Sequence, residues 1–206
     1  MSLNMKGNNL IIQRPLPEGY QQIWLNGLFI PSGKIVVGDP FSLSDTAILL
    51  TIEPGNYNVE LIYKDCFEWG YRVAYALLHF TEDIGVSQWK SAKNIFGINT
   101  ISVDSGLACI ADIETSFLFN KLLLEWKSNN LGKNYFEAVL KDQIQRKVLH
   151  GDRINTFGLI SPFGDKKNLA VFESGMGDGS YKMYLGLNQK KQPQILVIDF
   201  DILNWS

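Results

Sequence analysis

The chain has 206 residues, 46% of them hydrophobic and 12% aromatic, which supplies a sizeable core and excludes a compositionally disordered protein. Its 19 basic and 21 acidic residues leave a net charge of −2, and no Lys/Arg run marks a footprint for DNA or RNA. No stretch approaches the roughly 20 apolar residues of a membrane-spanning helix, so neither nucleic acid nor membrane is expected as a partner.

Residues 1–19 lack a signal-peptide core and a small-residue cleavage site, and read as an irregular lead-in. Two starts stay open: Met1, or Met5 with MSL as an expression scar. Cys66 and Cys109 lie in different segments without C-x-x-C spacing and read as buried free thiols, consistent with a reducing cytoplasm.

Residues 20–84 are expected to be β-rich. GKIVVGDPF (33–41) is a β-branched run stopped at Asp39-Pro40, where proline cannot continue a central ladder. In EPGNYNVELIYKD (53–65) a Pro-Gly turn feeds an alternation. Tyr57, Val59, Leu61 and Tyr63 fall on one face, and Asn58, Glu60 and Ile62 on the other. WGYRVAYALLHF (69–80) is a further strand candidate, with helix left open by its alanines and leucines.

Two helices are expected within residues 113–149. Phe119, Leu122, Leu123 and Trp126 recur at i, i+3, i+4, i+7, with Asp112 at the N-cap and Glu114 in the first turn. SNNLGKN (128–134) interrupts. Asn134 and Glu137 then form a capping box for a second helix, with stripe residues Phe136, Val139, Leu140, Ile144 and Val148, ending at HGD (150–152).

Residues 154–203 return to β, with QILVIDFDIL (194–203) the strongest strand pattern. No repeat or linker divides the chain. The expected fold is one α+β domain over 1–206, a largely antiparallel, sandwich-like sheet system with two helices inserted mid-chain.

The loop SGMGDGSY (174–181) joins two strand-like segments. Asp-Gly between alternating runs signals a hairpin, so 169–174 and 180–187 are expected to pair across it, with Gly177 or Gly179 at positive φ. The functional alternative is a backbone nest or a cation loop carrying Asp178. The Walker A, dinucleotide and EF-hand patterns all fail here.

Other aspartates sit at comparable places. Asp39 and Asp104 mark strand ends, Asp112 a helix start, and Asp199 and Asp201 lie two apart in a strand pattern, which sets both on one face. Such carboxylates can converge on one sheet rim as ligands for Mg²⁺ or Ca²⁺, or as an acid/base pair. They also end strands through their own backbone hydrogen bonds, the more frequent role. The expectation tested below is that at least three of Asp39, Asp104, Asp112, Asp178 and Asp199 share one pocket, with Gly177 and Gly179 beside them. Catalytic alternatives are weaker. His79 lies in an apolar run and His150 at a helix end, neither in a zinc spacing, and there is no G-x-S-x-G elbow.

Six segments together, SGKIVVGDP (32–40), PGNYNV (54–59), RVAYA (72–76), VDSGLACIAD (103–112), SGMGDGSY (174–181) and VIDF (197–200), resemble the bacterial domain of unknown function 4241 family. Met176 stands where an aromatic residue is expected and Ser105 where alanine is. The resemblance implies a bacterial intracellular protein and supplies no mechanism, but its motifs contain Asp39, Asp104, Asp112, Asp178 and Asp199. Two functions remain in view. The favoured one is a non-enzymatic binding protein for a protein partner or small molecule, given the scarce histidine and the lack of a catalytic motif. The other is a metal-assisted hydrolase or small-ligand site built from the aspartates and the glycine loop.

Overall fold

A computed structural model describes residues 15–43, 47–82, 84–149, 153–164 and 166–202. In chain order the strands are β1 (Tyr20–Ile30), β2 (Ile35–Gly38), β3 (Gly55–Asp65), β4 (Tyr71–His79), β5 (Gln88–Ser91), β6 (Thr100–Val103) and β7 (Leu107–Asp112). Helix α1 (Ile113–Asn129) follows, then β8 (Gln145–Val148), β9 (Ile154–Ile160), β10 (Leu169–Glu173), β11 (Gly179–Leu187) and β12 (Pro193–Asp199). Among the described residues they form a seven-stranded sheet, β1-β3-β4-β12-β11-β5 with β6 also on β11, and a five-stranded sheet, β2-β7-β10-β9-β8. All pairings are antiparallel.

The sheets face each other across one core. Leu25, Leu61, Leu78 and Ile198 of the large sheet belong to the same buried cluster as Val37, Ile110, Ala170 and Phe172 of the small one. The small sheet's other face, with Val36, Cys109, Ala111 and Val171, is covered by Phe119 and Leu123 of α1 and by Tyr135, Leu140 and Ile144. Burial on both faces explains why LACIAD reads as an unbroken apolar run and not as an alternation. The expected sandwich-like α+β architecture is therefore present, and α1 carries the predicted stripe and cap. Asp112 Oδ1 accepts the Glu114 N–H at 2.8 Å.

Several expectations are corrected. The second helix is cut short: Asn134 Oδ1 caps Phe136 N at 2.8 Å, a single π-turn spans Phe136–Leu140, and Gln145–Val148 is strand β8 on the edge of β9. Leu140 and Ile144 are buried as the stripe requires, but all four β8 residues are exposed. With no apolar face to bury, this stretch gains more from ladder hydrogen bonds on an open edge. In β3 the face opposite Val59 and Leu61 is also buried. Glu60 is 0% exposed there, with His79 Nε2 3.0 Å from its Oε2, so His79, at the end of the interior strand β4, has a polar partner. Asp199 and Asp201 do not share a strand face. The strand ends at Asp199, Asp201 turns to φ +58°, and its N–H donates to Asp199 Oδ1 at 2.9 Å.

The glycine loop is not a hairpin. β10 pairs with β7 and β9 in the small sheet, whereas β11 pairs with β12, β5 and β6 in the large one. Residues 174–178 therefore cross from one sheet to the other. The Asp-Gly signal is local, and both flanking strands have distant partners that bury more apolar surface. His150 and Trp205 lie outside the described residues.

Candidate functional site

The crossover is held tightly. Gly177 N donates to Ser174 O at 2.7 Å, and the hydroxyls of Ser174 and Tyr181 both donate to Gly177 O, at 2.8 and 2.6 Å. Gly177 has φ +116°, in line with expectation, and Gly175 has φ +49°. Gly179 instead begins β11, opposite Val103. A Cβ on Gly175 would lie 2.8 Å from Phe200 Cβ, so the crossover passes where only glycine fits.

Beside it lies the turn Asp104–Gly106. Asp39 directly follows β2, is 2% exposed, and accepts three backbone N–H groups: Phe41 at 2.8 Å, Asp104 at 2.9 Å and Ser105 at 2.7 Å. Such charge-assisted bonds fix the turn firmly. Gly106 O in turn accepts Ser174 N at 3.1 Å, so the turn and the crossover form one wall.

That wall borders a cavity of ≈ 680 Å³ whose charged lining is Arg72, Lys127, Lys133 and Arg153 against Asp104 and Glu173. Arg72 is the second residue of β4, Arg153 precedes β9, Glu173 ends β10, and the lysines come from the last turn of α1 and the turn after it. Glu173 is the hub. Its Oε2 accepts Arg153 Nη2 and Asn155 Nδ2, each at 3.1 Å, and its Oε1 accepts Thr156 N at 3.2 Å. Arg72 Nε donates to Trp69 O at 3.0 Å. Burial, then the neighbouring Arg153 guanidinium, push the Arg72 pKa down, with Glu173 opposing. Burial and then Glu173 push the Tyr63 hydroxyl far up. Around the hub, Tyr63 Oη, Arg153 Nε and Asn155 Oδ1 are buried without a hydrogen-bond partner among the described residues, which marks this as a place where polar demand exceeds supply. Glu173 pairs with Arg153 and acts on Arg72 only through its field, so the two guanidiniums exceed the one carboxylate beside them and can hold an additional anion.

Of the five aspartates, Asp104 is the one that lines this cavity, joined there by Gly177, with Asp39 directly behind the turn. Asp178 is exposed and precedes Gly179, the first residue of β11 and paired to β6, so it flanks the same wall. Asp112 is at the opposite end of β7, about 17 Å away along a six-residue strand. Its Oδ2 accepts the N–H and hydroxyl of Ser32 at 2.9 and 2.6 Å. Asp199 lies at the end of β12 in the other sheet, its pKa raised by burial. Among the described residues no group of three or more His, Cys, Asp or Glu side chains could hold a metal ion. The same residues include no helix long and apolar enough to cross a membrane.

The cleft cations escape sequence reasoning because they never form a run: they come from separate elements between residues 72 and 153. A usable signal was present, however. Arg72 and Glu173 are charged residues at the ends of otherwise apolar strands, where burial without a partner is costly.

The family described as protein of unknown function (DUF4241) covers residues 28–198. No curated protein and no solved structure matches the chain.

Proposed function

We propose that this chain, which belongs to the DUF4241 family of proteins of unknown function, is a binding protein that holds an anionic group between Arg72 and Arg153. The observation that carries this reading is the charge imbalance of the cleft, four cationic side chains against two carboxylates. Two adjacent guanidiniums, one of them weakened as a base by burial and by the other, gain from a bound carboxylate or phosphate that their planar forks fit bidentately.

The other residues take supporting parts. Asp39 positions the Asp104 turn, and Asp104 stands at the edge of the cleft to meet a donor or cationic group of the ligand. Gly177, with nothing within 4 Å of a built Cβ, keeps the wall low, and Asp178 and Gly179 form its shoulder. The free cysteines Cys66 and Cys109 and the motif resemblance support assignment to a reducing bacterial cytoplasm.

The test is calorimetric titration of pyrophosphate and citrate into wild type, Arg72→Ala and Arg153→Ala at low ionic strength. Wild type should bind, and each substitution should weaken binding by about tenfold or more, equal to about 1.4 kcal/mol. No binding heat in the wild type refutes the reading.

A further inference from the structure

The β3–β4 connection adjoins the cleft residues Arg72 and Arg153. Its strands end on the pair Asp65–Tyr71, and the loop between them is closed on itself. Cys66 N donates to Gly70 O at 3.1 Å, Trp69 N to Cys66 O at 3.2 Å, and Gly70 N to Phe67 O at 2.9 Å. Asp65 Oδ1 accepts Phe67 N at 3.0 Å. This rigid loop presents Phe67, 86% exposed, and Trp69, 59% exposed. Phe67 has φ +55°, a conformation costly for a bulky side chain. Neither local packing nor burial accounts for two aromatic rings held so far out.

The same loop is built into the cleft. Trp69 O anchors Arg72 Nε, and a Cβ on Gly70 would sit 3.2 Å from Arg153 Cβ. On the helical side, the cleft residues Lys127 and Lys133 flank Leu131, which is 87% exposed in a turn closed by Lys133 N to Asn130 O at 3.1 Å. A cationic cleft is thus rimmed by preorganised apolar side chains. A free inorganic anion would use the cations and leave the rim wet. An acidic polypeptide would use both, and aromatic and arginine side chains are the residue types that concentrate binding energy at protein interfaces.

We infer that the occupant is a partner protein: an Asp or Glu side chain enters between Arg72 and Arg153 while a flanking apolar side chain packs on Phe67 and Trp69. This rests on the anion-binding reading above and adds the class of ligand. The rigidity of the loop serves it, because little side-chain and backbone freedom is lost on docking.

Panning a random peptide library against the full chain tests this. Enriched sequences should carry Asp or Glu beside Leu, Met or an aromatic residue. Synthetic peptides of those sequences are then titrated into wild type, Arg72→Ala and the double variant Phe67→Ser/Trp69→Ser, with pyrophosphate as the free-anion control. The aromatic double variant should lose about tenfold or more of its peptide affinity and keep its pyrophosphate affinity, whereas Arg72→Ala should lose both. Phe67 and Trp69 are exposed, so the aromatic double variant should melt like wild type. Absence of enrichment, or peptides that bind the aromatic double variant as tightly as wild type, overturns the peptide proposal alone. A wild type that fails to bind pyrophosphate removes the anion reading beneath it.

Discussion

Asp39 and Asp104 lie 65 residues apart and are joined directly, the Asp39 carboxylate accepting the Asp104 backbone N–H at 2.9 Å. One buried side chain thereby sets the shape of a turn on another strand. Asp39→Ala should strand the N–H groups of Phe41, Asp104 and Ser105 and cost about 2–4 kcal/mol in urea unfolding. Asp39→Asn, which keeps an acceptor oxygen, should lose less. Equal losses in the two variants would contradict a role through hydrogen bonding.

Glu173 is predicted to trade stability against affinity. Glu173→Gln removes the carboxylate that pairs with Arg153 and acts at longer range on Arg72, and should destabilise the unliganded protein by about 1–3 kcal/mol. The same change removes the internal competitor for an anion, so pyrophosphate should bind more tightly and restore part of the lost melting temperature. A variant as stable as wild type, or one with weaker anion binding, counts against the hub role.

The two positive-φ glycines of the crossover should differ in sensitivity. Gly175→Ala meets both backbone strain and the Phe200 Cβ at 2.8 Å, and should cost about 2–4 kcal/mol. Gly177→Ala has open space and carries only the strain of φ +116°, so about 1–2 kcal/mol is expected. Chemical denaturation of both variants checks the order, and a reversed order would mean that the packing against Phe200 does not limit the loop.

Asp199 gives a pH signature. Burial raises its pKa above the usual aspartate value of 3.8, so in the window just above that value the folded state holds the proton more firmly than the unfolded chain. Stability from this group is therefore present at low pH and declines as pH rises through the folded pKa. Asp199→Asn should stabilise the protein at neutral pH, keeping an acceptor for the Asp201 N–H, and the advantage should vanish below the ordinary carboxylate range. Melting curves across pH would show it; a difference that grows toward acid would reverse the assignment.

The elements legible in the sequence were those defined by their own periodicity. The α1 stripe, the Asp112 cap and β3 are decided by neighbours in sequence, and the structure has them where the pattern puts them; β12 is legible too, but it stops at Asp199 where the pattern runs on past Asp201. Elements decided by distant partners were not legible. The Asp-Gly signal promised a hairpin, but Gly179 pairs with Val103, and Glu173 with Leu107, across the molecule. Residues 145–148 continued a helical stripe on paper and became an edge strand because β9 offered one. The candidate site was half visible: Asp104 and Gly177 were singled out, while the cations facing them come from elements that only tertiary packing unites.

Strand β8 carries a consequence for behaviour at high concentration. It closes one end of the five-stranded sheet, and an open sheet edge is a template on which a second molecule can extend the ladder. Its sequence, Gln145-Arg146-Lys147-Val148, sets two adjacent positive charges on that edge. A like edge approaching it would bring four cations together, so the strand that escaped the helix also acts as a guard against fibrous self-association.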